Sequence, residues 1–407
     1  MQKTLDSKNG WIGDCIVAIT ICSQFINSVL CIITNSDDGY LSYIFIVIAV
    51  LIVLLLFSTN FRIQIVKSQA VFVGLIILGY VLTKVFRGYA TALEPIAFIS
   101  RCLIPLLIGM GIPVHPKRVL KIMMLFMIPG VPYLSQIFSK GNAGSYIAVT
   151  MGTSYAILPV ILAGMTHYYL YKTDSTILDK ILYIITIVYS CYFVATSYRG
   201  ALLSMVRLFV LINLFKGKDR LTARRAILIF GLVSVLILYI IFKNQIIRAF
   251  VEFLSSISIR IASLDKAFIL LSEDNELHGR LDIYNAAFQG IKNSPIIGHG
   301  YATFKYYSNY VFPHNFILEI LFDLGVPIGV LIIIYIVKCF LEKARSYKKF
   351  DLEMFYFLLF ALCCCIPRVL VSSECWIVIS LWYMVGFVIR KTDYSYSIIN
   401  SGEGKKL

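Results

Sequence analysis

Hydrophobic positions along this chain form long unbroken runs, divided by short polar connections. Runs suited to crossing a bilayer fall near 11–34, 40–58, 69–86, 95–113, 119–138, 145–171, 181–197, 201–215, 226–243, 315–337, 352–371 and 374–389. Several reach the roughly 20 residues that a membrane helix needs, while 201–215 is short and depends on its neighbours. Between 244 and 314 the pattern changes. Gln245 to Ile261 places apolar residues at 246, 247, 250, 251, 254 and 257, a helical stripe suited to lying on a membrane. Leu281 to Asn293 repeats it, with Leu281, Tyr284, Ala287, Phe288 and Ile291 on one face. Asn293-Ser294-Pro295 ends that helix, and Gly298 and Gly300 supply flexible turns around His299. The chain thus divides into helices one to nine (1–243), a polar loop (244–314), helices ten to twelve (315–390) and a tail (391–407).

Composition fixes the class. Of 407 residues, 59% are hydrophobic and 14% charged, with a mean hydropathy of +0.83. A soluble protein of this size cannot hide so much apolar surface, so the chain reads as an all-α integral membrane protein. The net charge of +15 would suit nucleic acid, but its distribution excludes that reading. Basic residues crowd alternate connections: Arg62 and Lys67; Lys117, Arg118 and Lys121; Lys172 and Lys180; Lys216 to Arg225; Lys338 to Lys349; Arg390 and Lys391. The connections between them are poor in charge or acidic, as at Asp37-Asp38. By the positive-inside rule both termini are cytoplasmic and the spans number about twelve. The first run is too long for a signal segment and lacks a small-x-small site after it, so it is expected to stay uncleaved. The ten cysteines fall mostly inside apolar runs and include Cys363-Cys364-Cys365, with no C-x-x-C spacing. They read as small packed hydrophobes.

Candidate chemistry lies where polar residues meet the spans. Arg101, Arg207 and Arg368 sit within or at the ends of runs, Arg199 at the outer surface beside Gly200, and Arg280 in the long loop. Few acids share their depth. Buried unpaired cations are costly, and the planar guanidinium fork matches pyrophosphate oxygens, so a lipid-linked diphosphate is the expected ligand. The competing reading makes each arginine an anchor for lipid headgroups. His314 opens the tenth run, where it serves as general base, as donor to a phosphate, or only as a helix cap. Glu319 follows Asn315 by one turn and is placed to orient it. His278 and His299 read as ordinary loop residues. There is no D-x-D, no H-E-x-x-H and no Cys/His cluster, and turn chemistry explains Asp37-Asp38 beside Gly39. No metal or other cofactor is expected.

Four motifs in order, S-Y-R-G-A-L-L (197–203), G-R-x-x-x-Y-x-x-A (279–287), N-S-P-I-I-G-H-G (293–300) and P-H-N-F-I-L-E-I-L-x-x-L-G-V-P-I-G (313–329), resemble the O-antigen polymerase and O-antigen ligase superfamily. The resemblance implies a helical membrane glycosyltransferase of the GT-C type in the bacterial inner membrane, its active site facing the periplasm. It implies undecaprenyl-diphosphate-linked glycans as donor and acceptor, with a chain-length regulator protein as partner. The family's two important arginines and its histidine correspond to Arg199, Arg280 and His314. Tyr284 stands where the family commonly has tryptophan. Arg101 is expected as a second-tier diphosphate contact, and Asn315 and Glu319 as substrate-side residues. The P-H-N-x-x-L-E wording and compact loop resemble polymerases more than ligases. A flippase or transporter of lipid-linked sugars is the non-enzyme alternative. It would place its charges along a path near the midplane, whereas these cluster at one face.

Overall fold

A computed structural model describes residues 2–33, 50, 66–87, 94–133, 146–196, 199–215, 280–371 and 374–390. The expected second span (40–58) apart from Val50, the ninth span (226–243), the stripe over 245–261, Asp37-Asp38 and the tail lie outside these residues. Among the described residues every regular element is helical. The sequence accounts for this: inside lipid no water can satisfy the backbone, and a helix pairs its N–H and C=O groups within one segment.

The helices are α1 (Gln2–Ile33), α2 (Lys67–Arg87), α3 (Pro95–Gly111), α4 (Pro116–Leu125), α5 (Tyr146–Tyr171), α6 (Ile177–Thr196), α7 (Arg199–Leu214), α8 (Arg280–Asn293), α9 (Phe304–Tyr307), α10 (Phe316–Leu324), α11 (Val326–Phe350), α12 (Leu352–Val371) and α13 (Ile379–Ile389). Three segments among them are long and apolar enough to cross a membrane, Gly10–Ile33, Lys67–Phe86 and Leu352–Leu370. Pro95–Gly111, Ala201–Leu214 and Ile379–Ile389 are shorter apolar helices.

Three expected spans come out differently. The fifth run stops being α-helical at Leu125 and continues as a 3-10 segment, Ile128–Tyr133. Pro129 and Pro132 cause this, because each removes a backbone donor and crowds the preceding turn. The tenth run breaks at Gly325 into α10 and α11. Gly325 has φ +77°, and a Cβ there would strike the Ile296 carbonyl. The twelfth run is α-helical only from Ile379, so Glu374 and the 3-10 turn Cys375–Ile377 form the connection after α12.

The core joins α1, α3, α4, α5, α12 and α13. Its closest seam is α3 against α13. Gly109 packs on the Tyr383 carbonyl and the Phe387 amide, and Gly386 on the Leu106 carbonyl. Lipid gives apolar helices little drive to associate, so close contact between backbones through small residues has to hold them. Cys22, Cys102, Cys363, Cys364 and Cys365 are buried in this core as packing groups.

At the end bearing the basic connections, charges find protein partners. Asp14 takes Arg118 Nε at 2.7 Å and the His115 amide at 3.0 Å. Lys121 meets Asp179 at 2.8 Å. Lys343 Nζ donates to the carbonyls of Phe387 (2.5 Å) and Arg390 (2.9 Å), and Arg390 donates to the Ile112 carbonyl. Together these tie α1, α3, α4, α6, α11 and α13 into one rim.

Candidate active site

The opposite end is built around the loop that follows α8. Along α8 the buried stripe is Ile283, Ala287 and Gly290, flanked by partly buried Tyr284 and Ile291. It packs on Phe304, Leu318 and Phe322. Of the expected apolar face, Leu281 and Phe288 point outward instead, with 55% and 57% of their surface exposed. The face is therefore divided between α10 and the surroundings.

After α8 the chain is pinned to the far end of α10. The Val326 amide donates to Pro295 (2.7 Å), the His299 amide to Phe322 (2.9 Å) and the Gly300 amide to Asp323 (2.9 Å). Gly298 has φ +72°, and a Cβ there would strike the Asp323 carbonyl. The turns expected to be flexible are thus fixed by close backbone contact, which only glycine permits. His299 is structural: its Nε2 lies 2.8 Å from the Gly290 carbonyl, and its ring stacks on Phe322 at 4.5 Å. Next, Tyr301 is driven inward. Its hydroxyl donates to the Ile76 carbonyl and its amide donates to Thr83 Oγ1, both on α2. Its ring stacks on Trp376 at 3.8 Å and leans on Tyr80 and Phe98. This aromatic plug joins α2, α3, the loop and the turn before α13.

His314 sits just before α10 with φ +55°, an unusual conformation for a side-chain-bearing residue. Such strain concentrates at functional sites. Its ring lies 4.2 Å from that of Phe312. Asn315 caps α10: its Oδ1 accepts the amides of Ile317 (3.0 Å) and Leu318 (3.3 Å). Glu319 does not orient Asn315. Its buried carboxyl accepts the Cys375 amide at 2.9 Å instead. One turn further, Asp323 Oδ2 accepts Trp376 Nε1 at 2.5 Å and the Ala302 amide at 3.4 Å.

These two carboxylates hold the backbone that carries Glu374. Glu374 lies close enough to interact electrostatically with both, and with Lys305 and Arg101. Arg101 occupies a π-helical turn, Ile99–Leu103, inside α3. Pro105 follows, and its missing N–H favours rewinding the helix at this point. The π turn packs against Cys375–Ile377. Burial pushes the Glu374 carboxyl up to about 7, with Lys305 and Arg101 pulling it down. Sequence reading named neither Glu374 nor Lys305 as a neighbour of Arg101. The signal available was the polar stretch Ser372-Ser373-Glu374 at the mouth of an apolar run.

Arg199 and Arg280 are the first residues of α7 and α8; their side chains fall outside those described. The two enter from different packing units, α7 lying against α5 and α12, and α8 against α10. Arg368 departs from the expectation of a cation awaiting an anion. It donates to Gln24 Oε1 on α1 and lies over the Tyr155 ring at 5.6 Å. Among the described residues no group of three His, Cys, Asp or Glu is arranged to hold a metal ion.

Apolar helices, three of them long enough to cross a membrane, with a polar, loop-built patch at one end define the class: a helical membrane protein. The O-antigen ligase family model matches residues 184–333, which contain all four motifs, so this part of the chain is similar to that family. No curated protein matches the chain. The family supports polymerase or ligase activity in general.

Proposed function

We propose that this protein is a surface-polysaccharide polymerase, joining undecaprenyl-diphosphate-linked repeat units at the periplasmic face of the inner membrane. The reading comprises a GT-C-type bundle of about twelve helices with cytoplasmic termini. Its segments are 1–243, the loop 244–314, 315–390 and the tail 391–407. The observation that carries it is the motif series inside the matched segment, with its histidine held at positive φ at the head of α10. Arg199 and Arg280 grip the diphosphate and stabilise its growing charge, the dominant electrostatic contribution to such a transfer. Arg101 is a further contact to the same group, and Tyr284 and Asn315 shape the site around it. Arginines take the place of a metal ion, so turnover proceeds in chelator. The acceptor attacks opposite the leaving group and inverts the anomeric centre. A chain-length regulator is the expected protein partner.

Polymerase and ligase differ in acceptor: another lipid-linked repeat, or lipid A–core. Deleting the gene and resolving the lipopolysaccharide separates them. A polymerase leaves lipid A–core capped with a single repeat, because a ligase elsewhere still transfers monomers. Bare core with polymer accumulating on undecaprenyl diphosphate makes this protein the ligase. An unchanged ladder removes both readings.

A further inference from the structure

Three carboxylates meet between α10 and the turn before α13, and they are not equivalent. Glu319 and Asp323 are buried, each with one oxygen committed to residue 375 or 376. Glu374 is the member that is partly exposed, and its Oε1 is buried with no hydrogen-bond partner among the described residues. A buried acceptor left unsatisfied is costly, so a donor is expected to complete it. The next two residues of the chain are fixed by Glu319 and Asp323, which gives Glu374 the rigid support that a reacting group requires. Glu319 also ties this turn to α10, one helical turn from the His314-Asn315 corner.

We propose that Glu374 takes the proton from the acceptor hydroxyl, leaving His314 to donate to the diphosphate; this rests on the glycosyltransferase reading above. The hydroxyl oxygen bonds to the anomeric carbon as the bond from that carbon to the diphosphate oxygen breaks. The electron pair leaves with the diphosphate, and the hydroxyl proton passes to Glu374 Oε1. Arg101 and Lys305 face Glu374 and favour its anionic form; Glu319 and Asp323 on α10, Cys102 in the π turn, Tyr301 in the loop and the adjoining Cys375 complete its titratable surroundings. A carboxylate base acts when deprotonated, so activity rises with pH through the region near 7 where burial puts this group.

The test uses full-length protein in nanodiscs with a lipid-diphosphate repeat as donor and, in separate arms, a lipid-linked repeat or lipid A–core as acceptor. Glu374→Gln is expected to lower kcat by roughly 10²–10⁴-fold, leave the donor KM unchanged and abolish the acid limb. Glu374→Asp should retain part of the rate and the limb. His314→Gln should lower the rate but keep the limb, and this arm decides the matter if Glu374→Gln fails to fold. Wild-type rate with an intact limb in Glu374→Gln, loss of the limb in His314→Gln, or no limb in the wild type overturns the assignment. A wild type inactive with both acceptors overturns the glycosyltransferase reading, and this proposal with it.

Discussion

The two ends of the bundle treat charge in opposite ways. At the end with the basic connections, buried charges are matched inside the protein: Asp14 by Arg118 and His115, Asp179 by Lys121, Lys343 by two helix-end carbonyls. At the other end Glu319, Asp323 and Glu374 crowd together, each with a buried oxygen lacking a hydrogen-bond partner among the described residues. Pairing of the first kind fastens helices. A surplus of the second kind leaves buried oxygens unsatisfied, a cost that a ligand bringing donors relieves. Substitutions should therefore sort by end: stability on one side, turnover on the other.

Beside Glu374→Gln, the largest effect is expected from the arginines that open α7 and α8. Arg199→Ala and Arg280→Ala should each cut turnover by about 10²–10³-fold, the usual loss when a donor to developing negative charge is removed. Insertion and unfolding temperature should stay near wild type. Lysine replacements should restore only part, since a point charge cannot reproduce the bidentate fork. Full activity in both alanine variants at normal expression would break the division. The complementary change lies in the scaffold. Gly386→Leu drives a side chain into the Leu106 carbonyl of α3 and should cost about 3 kcal/mol by overpacking. It should be seen as a lowered unfolding temperature and poor recovery, with surviving folded protein still active. An unchanged unfolding temperature would mean that the seam does not hold the helices.

What the sequence revealed follows the same division. Helices were legible because lipid demands unbroken apolar runs, and α1, α2, α3, α5, α6, α7 and α12 lie close to where those runs fall. His299 read correctly as a loop residue, and Arg199 and Arg280 stand at helix starts. The break at Gly325 was hidden inside a continuous apolar run, although Gly325-Val326-Pro327 is a stop followed by a start. Arg368 was misread because Gln24, its partner, is distant in sequence, and no local pattern announces it. Glu374 was missed for the same reason: its neighbours Arg101, Lys305 and Glu319 come from three other parts of the chain. Local pattern reports on segments, whereas a site assembled across segments appears only once they pack.

The finest separation of the two ends uses a matched pair of helix caps. Asn315 Oδ1 caps α10 at the candidate site, accepting the amides of Ile317 and Leu318. Asp351 Oδ1 caps α12 at the basic end, accepting the Met354 amide at 3.0 Å. Removing either cap leaves backbone donors in the first turn without their partner, at a cost of about 1 kcal/mol. Asn315→Ala and Asp351→Ala should therefore lower the unfolding temperature in detergent by similar, small amounts. Their activities should diverge. The first turn of α10 fixes both His314, held at positive φ just before it, and Glu319, which anchors the turn bearing Glu374. A small shift there misplaces reacting groups, and misplacement on the order of 1 Å can cost about 10²-fold in rate. Asn315→Ala should lose activity by roughly 10-fold or more, while Asp351→Ala keeps it; Asn315→Asp, which can still cap, should recover most of the rate. Equal activity losses in the two alanine variants would show that the ends are coupled and that the charge difference between them does not mark where the chemistry lies.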